Sequence, residues 1–143
     1  MTDLSAEQRA FLEAGQSAVM VTLRRDGAPH AVRCGVALVD GKIWSSGVPS
    51  RMRTRHVRRD PRGAIVVISS AYGYLTIEGT FTILDGPDAA QQSVQLFRVM
   101  QKRPSGPINW NGKPLEEDEF LRVMREEERL IYQLEPERAY GMI

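Results

Sequence analysis

Short apolar stretches separated by turn residues dominate the first third of the chain. The segment "SAVMVTLRRDG" ends in Asp26-Gly27, and "APHAVRCGVALVDGK" ends in Asp40-Gly41. An Asp-Gly pair between apolar runs is a strong signal for a tight β-hairpin. Because the short run "IWSSG" follows directly, this pattern predicts three strands joined by two tight turns in an antiparallel meander.

Three later segments also have the pattern of strands. "AIVVIS" is continuously apolar, and "YLTIEGTFTILDG" alternates apolar and polar positions over most of its length. Gly79 lies within that alternation and predicts a kink or a close backbone approach. "RLIYQLEPERAYGMI" predicts two short closing strands separated near Glu135-Pro136, because proline cannot donate a ladder hydrogen bond.

Two helices are predicted in the first half of the chain. Apolar spacing places one near residues 5–14, with Ser5 as its cap and Gly15 at its end. A basic helix of about two turns follows Pro49, with Ser50 in position to cap it. It would carry most of the chain's clustered positive charge.

Two further helices are predicted in the second half, at "PDAAQQSVQLFRVMQK" and over the acidic residues 115–127, with "RPSGPINWNGKP" as a loop between them. The chain thus has about six or seven strands, mostly joined as hairpins, with helices inserted between them. This differs from the β-α-β alternation of a parallel sheet. We therefore predict a mainly β fold over residues 1–143, a small antiparallel barrel with peripheral helices.

The composition fits one domain of ordinary size. The chain has 143 residues, 42% of them hydrophobic, which suffices for a core without disulfides or a structural metal. Its one cysteine, Cys34, cannot form an internal bridge, which is typical of a reducing compartment. No apolar run approaches the about 20 residues that span a bilayer, and the acidic N-terminal segment lacks the features of a signal peptide. We expect a cytoplasmic protein with no membrane partner.

Motifs for several kinds of chemistry are missing from the sequence. It contains no G-x-G-x-x-G after a strand, no G-x-x-x-x-G-K-[ST], no G-x-S-x-G and no H-E-x-x-H. With two histidines and one cysteine, the sequence disfavours a zinc site and gives no support for a Ser-His-Asp triad. We assign no catalytic side chain and no metal ligand, and if the protein is an enzyme we expect a cofactor to carry the reactive group.

Positive charge is concentrated in "SRMRTRHVRRDPR", residues 50–62, although the formal charge of the whole chain is only +1. Arg51, Arg55, Arg58 and Arg62 recur at helical spacing and would form one stripe. One interpretation is a solvated face that pairs with the acidic block at 116–128. A nucleic-acid surface is disfavoured, because the chain is nearly neutral and no aromatic residue interrupts the arginines.

A compact phosphate explains the arginine cluster better than an extended polyanion does. Arginine binds phosphate bidentately, and hydroxyl groups complete such sites. The hydroxyls of Ser45, Ser46, Ser50 and Thr54 lie close to the arginines in the sequence. The segment is therefore predicted to bind one small anionic group.

The order of these segments, together with "R-x-R-T-R-x-V-R-R-D-P-R", resembles the pyridoxamine-phosphate-oxidase-like split-barrel superfamily. The chain looks closest to the actinobacterial branch of deazaflavin-dependent oxidoreductases, which use coenzyme F420. The C-terminal "ERLIYQLEPERAYGM" is similar to the closing strands of that family. The resemblance covers nearly the entire chain and implies a split β-barrel homodimer, with a flavin-type cofactor in a groove at the subunit interface.

The resemblance also assigns roles to individual residues. It implies that Arg53 and Arg55, helped by Arg51 and the neighbouring Thr54, hold the phosphate or acidic tail of the cofactor. Arg129 would add a further cation. The residues along the ring system would be Val32, Cys34, Ser45, Ser46 and Gly47.

The function implied is hydride transfer from reduced coenzyme F420 to a small conjugated or aromatic substrate. Two alternatives remain open: an FMN-dependent oxidoreductase and a protein that carries F420 without turnover. The chain departs from the family pattern at Arg53, where lysine is common, and at His56, where asparagine is usual. Arginine still binds phosphate but with a different reach, which leaves the choice between F420 and FMN open. His56 and His30 are both expected at the surface.

Overall fold

A computed structural model of the chain describes residues 3–14, 17–69 and 71–143. Within them lie four helices and nine strands. The helices are α1 (Ala6–Ala14), α2 (Met52–Arg59), α3 (Ala89–Gln101) and α4 (Glu117–Glu126). The strands are β1 (Ser17–Leu23), β2 (Pro29–Cys34), β3 (Ala37–Val39), β4 (Lys42–Gly47), β5 (Arg62–Ile68), β6 (Tyr74–Leu84), β7 (Ile108–Trp110), β8 (Lys113–Leu115) and β9 (Leu130–Met142).

Seven of these strands form one antiparallel sheet in the order β2-β1-β5-β6-β9-β4-β3, and β7 pairs with β8 separately. The strands at the two ends of the large sheet, β2 and β3, are consecutive in the chain. Only Gly35 and Val36 separate them, so the sheet must curl until its ends approach each other. The predicted fold, a mainly β split barrel with peripheral helices, is confirmed.

The predicted three-stranded meander is wrong in one respect. The segment after the first hairpin divides into β2 and β3, and these two strands do not pair with each other. β2 pairs with β1, whereas β3 pairs with β4 through the Asp40-Gly41 turn. The alternation of apolar residues could not reveal this break, because both halves keep a strand-like pattern on either side of Gly35.

The closing segment is one long strand, β9, rather than the two short strands that were predicted. It pairs with β6 along its whole length, with a register shift between Glu78 and Gly79 that accommodates Pro136. The prediction of a close approach at Gly79 is correct, since a Cβ atom there would overlap the backbone of Glu135. The bulge lets the strand continue past a proline.

The helix termini match the sequence predictions in part. α1 begins with reciprocal bonds, in which Gln8 N donates to Ser5 Oγ at 3.1 Å and Ser5 N donates to Gln8 Oε1 at 2.9 Å. The predicted end of this helix at Gly15 lies outside the described residues. α2 has Arg51 at its N-cap position without a side-chain cap, so the expectation that Ser50 caps it is wrong.

Two other predictions are corrected by the strand assignments. Arg62 lies in β5 beyond the end of α2, so the arginine stripe of the helix does not extend to it. The predicted proline-rich loop contains the hairpin of β7 and β8, which turns at Asn111-Gly112 with both residues at positive φ. Asn-Gly favours such turns, so this signal was present in the sequence.

The main core fills the interior of the sheet and includes Met20, Ile65, Ile77 and Tyr132. A second cluster joins α3, α4 and the small hairpin through the ring contacts of Phe97, which lie 5.4 Å from Trp110 and 5.4 Å from Phe120 between centroids. None of the helices in the described part of the chain has the length and hydropathy of a membrane span.

Candidate functional site

The two ends of the curled sheet meet beside β4. Ser45 Oγ donates to the carbonyl oxygen of Gly35 at 2.6 Å, across a junction where no ladder pairs β2 with β4. Ser45 is fully buried, and its side chain also hydrogen-bonds the neighbouring Cys34. Its hydroxyl therefore attaches the segment between β2 and β3 to β4. This bond explains why a polar residue occupies a buried strand position.

Helix α2 packs against β1 and β6 near this junction. Thr54, His56 and Val57 are buried, while the helix directs Arg51 and Arg55 to the surface. This amphipathic division fixes the helix by a small buried face. It brings the basic segment of the chain to the split of the barrel.

Arg53 is half-buried between the helix and β4. Its Nη2 donates to the carbonyl oxygen of Ser46 at 3.1 Å, and its guanidinium carbon lies 5.4 Å from the ring centroid of Tyr132. Its Nε is buried without a hydrogen-bond partner among the described residues, and so is Ser46 Oγ. Leaving a buried donor unpaired costs about 1–3 kcal/mol, and more for a charged group. An anion would accept hydrogen bonds from both groups.

The two halves of the arginine cluster differ in their contacts. Within the described chain, the guanidinium groups of Arg51 and Arg55 make neither a hydrogen bond nor an ion pair and are exposed. The later arginines are engaged: Arg58 with Asp85 at 3.0 Å, Arg59 with the carbonyl of Leu23 at 2.6 Å, and Arg62 with Asp60 at 2.8 Å. None of these partners belongs to the acidic block at 116–128, although Glu127 and Glu128 of that block line the same groove as Arg51.

Thr54 differs from the other predicted contacts because its hydroxyl is already engaged. Its single proton goes to the carbonyl oxygen of Val48 at 2.7 Å, so the hydroxyl of Tyr132 must donate to Thr54. Gly47 lies beside the same tyrosine, and a Cβ atom there would overlap the phenol. Both residues lie at the site, where they position the start of α2.

Arg129, which directly precedes β9, also lies beside the basic segment. Its Nη2 pairs with Glu127 at 2.8 Å, and its guanidinium stacks on Trp110, 4.8 Å from the ring centroid. It lines a groove of about 400 Å³ that Arg51 also lines. The structure thus brings Arg129 to the same surface as Arg51, with an acidic partner already in place.

A larger cavity of about 560 Å³ opens at the junction between β2 and β3. Cys34 lies in its wall, and burial raises the pKa of this thiol, which disfavours a reactive thiolate. Val32, on the same face of β2, packs half-buried against the core. Its lining combines polar surface with apolar side chains and includes the charged residues Glu13 and Lys102; the apolar members include Leu12, Ala18, Val36, Ala37, Leu38, Val99 and Met100.

Sequence reasoning missed the two groups that organise this region. Tyr132 is fully buried in β9 opposite Ser45, but in the sequence it was one apolar residue of a strand.

His56 is buried and bonded through Nδ1 to Thr22 Oγ1 at 2.9 Å, and His30 is half-buried against it, so the expectation of two surface histidines is wrong. A signal for His56 existed in its position on the face of the helix shared with Val57, opposite the arginines.

Comparisons with known proteins agree with this architecture. A family model described as pyridoxamine 5'-phosphate oxidase matches residues 4–141. A conserved hypothetical protein from Mycobacterium tuberculosis, Rv2991, superposes with a TM-score of 0.74 at 20% identity, covering 99% of this chain and 86% of that one. Among curated proteins, no sequence matches the chain significantly.

Two other similar structures have names that indicate different cofactors. A protein called F420 reductase superposes with a TM-score of 0.68 at 20% identity, covering 96% of this chain and 98% of that one. A heme binding protein from Mycobacterium smegmatis gives 0.65 at 16% identity, covering 99% of this chain and 55% of that one. At these identities the likeness concerns the fold alone.

Proposed function

We propose that the chain, which belongs to the pyridoxamine 5'-phosphate oxidase family, is an oxidoreductase that uses reduced coenzyme F420 to transfer a hydride to a small conjugated or aromatic substrate. The observation that carries the proposal is the pair of unpartnered buried groups, Arg53 Nε and Ser46 Oγ, at the split of the barrel. Both are hydrogen-bond donors, and a cofactor phosphate bound within reach of them would supply the missing acceptor.

The residues of the chain fit a phosphate-bearing cofactor. Arg53 would bind the phosphate from a half-buried position, where a charge-assisted hydrogen bond is strongest. Arg51 and Arg55 would add exposed positive charge that attracts and retains the anion or an acidic tail. The first turn of α2 contains no acidic residue, so its N-terminal N–H groups also favour negative charge.

The cavity beside Cys34 is the proposed binding site for the ring system of the cofactor and for the substrate of the protein. Its apolar side chains would stack against a flat molecule, and the bond from Ser45 to Gly35 fixes the segment that forms one wall. A reduced deazaflavin, when bound, supplies the hydride, so no nucleophile from the protein is needed. The role of the chain is to bind, orient and shield.

FMN is the second candidate cofactor, favoured by the family model that the chain matches. It carries one phosphate, which Arg53 and Ser46 suit equally well. A carrier that binds F420 without turnover would use the same phosphate contacts. Cofactor titration separates F420 from FMN, and a turnover assay separates enzyme from carrier.

A second copy of the chain is the proposed partner. On the outer face of the sheet, Ile68 pairs with Tyr74, and Tyr74 pairs with Met142. These side chains are 39%, 39% and 61% exposed, and Tyr140 beside them is 45% exposed. A row of apolar side chains on a sheet face is typical of an interface between copies, and a dimer would place a second wall against the cofactor.

The direct experiment is a titration of the purified protein with F420 and with FMN, followed by absorbance and fluorescence. We expect a dissociation constant in the micromolar range or below for F420, with weaker binding of FMN. The reduced F420 complex is then mixed with quinones, enones and tetrapyrroles, and oxidation of the deazaflavin is recorded.

The outcomes separate the candidates. Tight FMN binding with weak F420 binding would favour the second cofactor, and F420 binding without oxidation by any acceptor would favour a carrier. Absence of binding by both at tens of micromolar would contradict a flavin-type function. If DNA binding that weakens steeply with salt were found in that case, it would revive a nucleic-acid-binding function for the arginine cluster.

A further inference from the structure

Tyr132 occupies an unusual position for a residue with a polar group. It lies in β9 between two neighbouring strands, opposite Ser45 of β4 and Ile83 of β6, and its side chain is fully buried. Its ring packs edge-on against Phe81, with 6.5 Å between centroids and 74° between planes. The ring is therefore held by the core, with little freedom to reorient.

This fixed ring contacts two consecutive residues of α2. The phenol hydroxyl donates to Thr54, and the guanidinium of Arg53 lies over the ring face at 5.4 Å from its centroid. A cation within about 6 Å of an aromatic centroid is attracted by the negative face of the ring. Tyr132 thus contacts both the side-chain hydroxyl of Thr54 and the guanidinium of Arg53.

The arginine needs such support because one hydrogen bond does not fix a long side chain. Among the described residues, the one hydrogen bond of the Arg53 side chain is that from Nη2 to the carbonyl oxygen of Ser46, besides the ring contact. Without the ring, the guanidinium could rotate about this single hydrogen bond, and Nε would lose its present orientation. If the arginine had to be ordered when the anion binds, the entropy cost of ordering would lower the affinity of the protein for the anion.

We propose that Tyr132 is a positioning residue that orients Arg53 toward the phosphate of the cofactor. The assignment rests on the proposed function, because it concerns the same anion site. Gly47 is required for this arrangement of Tyr132 and Arg53, since any side chain at position 47 would displace the phenol from its place under the arginine. The ring supplies the orientation of Arg53, and the hydroxyl supplies the attachment of the helix through Thr54.

The test compares affinity for a phosphorylated cofactor with affinity for the same ring without phosphate. The probes are FMN and riboflavin or, if F420 binds more tightly, F420 and its phosphate-free chromophore 8-hydroxy-5-deazariboflavin. The ratio of the two affinities isolates the anion contact from stacking of the ring. It is measured in the wild type, in Tyr132→Phe and in Tyr132→Leu, with the melting temperature recorded for each.

We expect the wild type to prefer the phosphorylated probe by at least tenfold. Tyr132→Phe keeps the ring and should leave the ratio within twofold, although it loses the bond to Thr54. Tyr132→Leu removes the ring and should reduce the ratio about fivefold to tenfold. If Tyr132→Leu does not fold, Tyr132→Met, which is unbranched and better able to fill the space of the ring, takes its place with the same expected loss.

Phe120→Leu is the matched control, because Phe120 is equally buried but lies in the separate cluster of α4. It should lower the melting temperature and leave the ratio unchanged. A ratio that stays within twofold in Tyr132→Leu or Tyr132→Met overturns the role of Tyr132 alone. A wild type that binds both probes equally overturns the proposed phosphate site, and the role of Tyr132 with it.

Discussion

His30 and His56, the two histidines of the chain, face each other with ring centroids 4.9 Å apart and planes at 83°. His56 lies on the buried side of α2 and is bonded to Thr22, whereas Nδ1 of His30 is buried without a partner among the described residues. Burial lowers the pKa of His56, and the nearby positive charges of His30, Arg59 and Arg24 lower it further. The surroundings of His56 therefore favour its neutral form at the base of the arginine helix.

The first prediction concerns the dependence of stability on pH. Because the pKa of His56 is lower in the folded protein than in the unfolded chain, the unfolded chain binds the extra proton. The contribution of His56 to stability is thus complete above the unfolded value of about 6.5 and is lost as the pH falls toward the folded pKa. We expect the free energy of unfolding in urea to decrease from pH 7.5 to about pH 5.

His56→Asn provides the control for this effect. The variant should have a flatter profile over the same interval, because asparagine does not titrate. Asp60 does not interfere, since its bonds to Arg62 hold the pKa of its carboxyl at about 2. An equally steep decrease in His56→Asn would show that other groups cause the pH dependence.

The second prediction concerns the bulge of the longest strand pair. A Cβ atom at Gly79 would overlap the backbone of Glu135, and backbone cannot move aside as a flexible side chain can. Gly79→Ala should therefore lower the free energy of unfolding by about 3 kcal/mol or more. Gly86→Ala, at a position where a Cβ atom meets nothing within 4 Å, is the control and should change it by less than about 0.5 kcal/mol. Equal effects in the two variants would contradict the described register.

The third prediction concerns the contact between Gly47 and Tyr132. Gly47→Ala should destabilise the protein by about 1–3 kcal/mol, because the added methyl group overlaps the phenol. In a Tyr132→Leu background the same substitution should cost less, with a coupling energy of about 0.5–3 kcal/mol between the two positions. Urea unfolding of the four proteins gives this value. Strict additivity would show that the two side chains do not share this space.

The fourth prediction concerns the outer face of the sheet. Tyr74→Lys places a charge in the middle of the row formed with Ile68 and Met142. If that face joins two copies, sedimentation equilibrium should give a dimer for the wild type and mainly monomer for the variant. Gln95→Lys adds the same charge at an exposed position of α3 outside this row and should remain dimeric. A monomeric wild type at tens of micromolar would contradict the proposed partner.

Much of the fold follows from local patterns in the sequence. The turns at Asp26-Gly27 and Asp40-Gly41, the alternation in β6 and the glycine at position 79 all have local causes, and each was predicted from them. The division of β2 from β3 and the single long β9 were not predicted. Both depend on which strands become neighbours when the sheet curls, and no short segment contains that information.

The binding roles of the candidate site residues stay predictions. The concentration of arginines indicated the start of α2, where Arg51 and Arg55 are exposed and Arg53 is half-buried. What the sequence could not distinguish is which hydroxyls are engaged within the protein. The hydroxyls of Ser45 and Thr54 donate to backbone carbonyls, whereas the hydroxyl of Ser46 has no partner among the described residues. The curl of the sheet and the position of Tyr132 determine this difference.

The central claim is that Arg53 holds the phosphate of a flavin-type cofactor at the split of the barrel. The most direct measurement is the dissociation constant of F420, and of FMN, for the wild type, Arg53→Ala and the control Arg122→Ala, whose arginine is 67% exposed on α4. Arg53→Ala should weaken binding by about 1.5–3 kcal/mol, the scale of a hydrogen bond to a charged group, and Arg122→Ala should match the wild type. Unchanged affinity in Arg53→Ala would contradict the account.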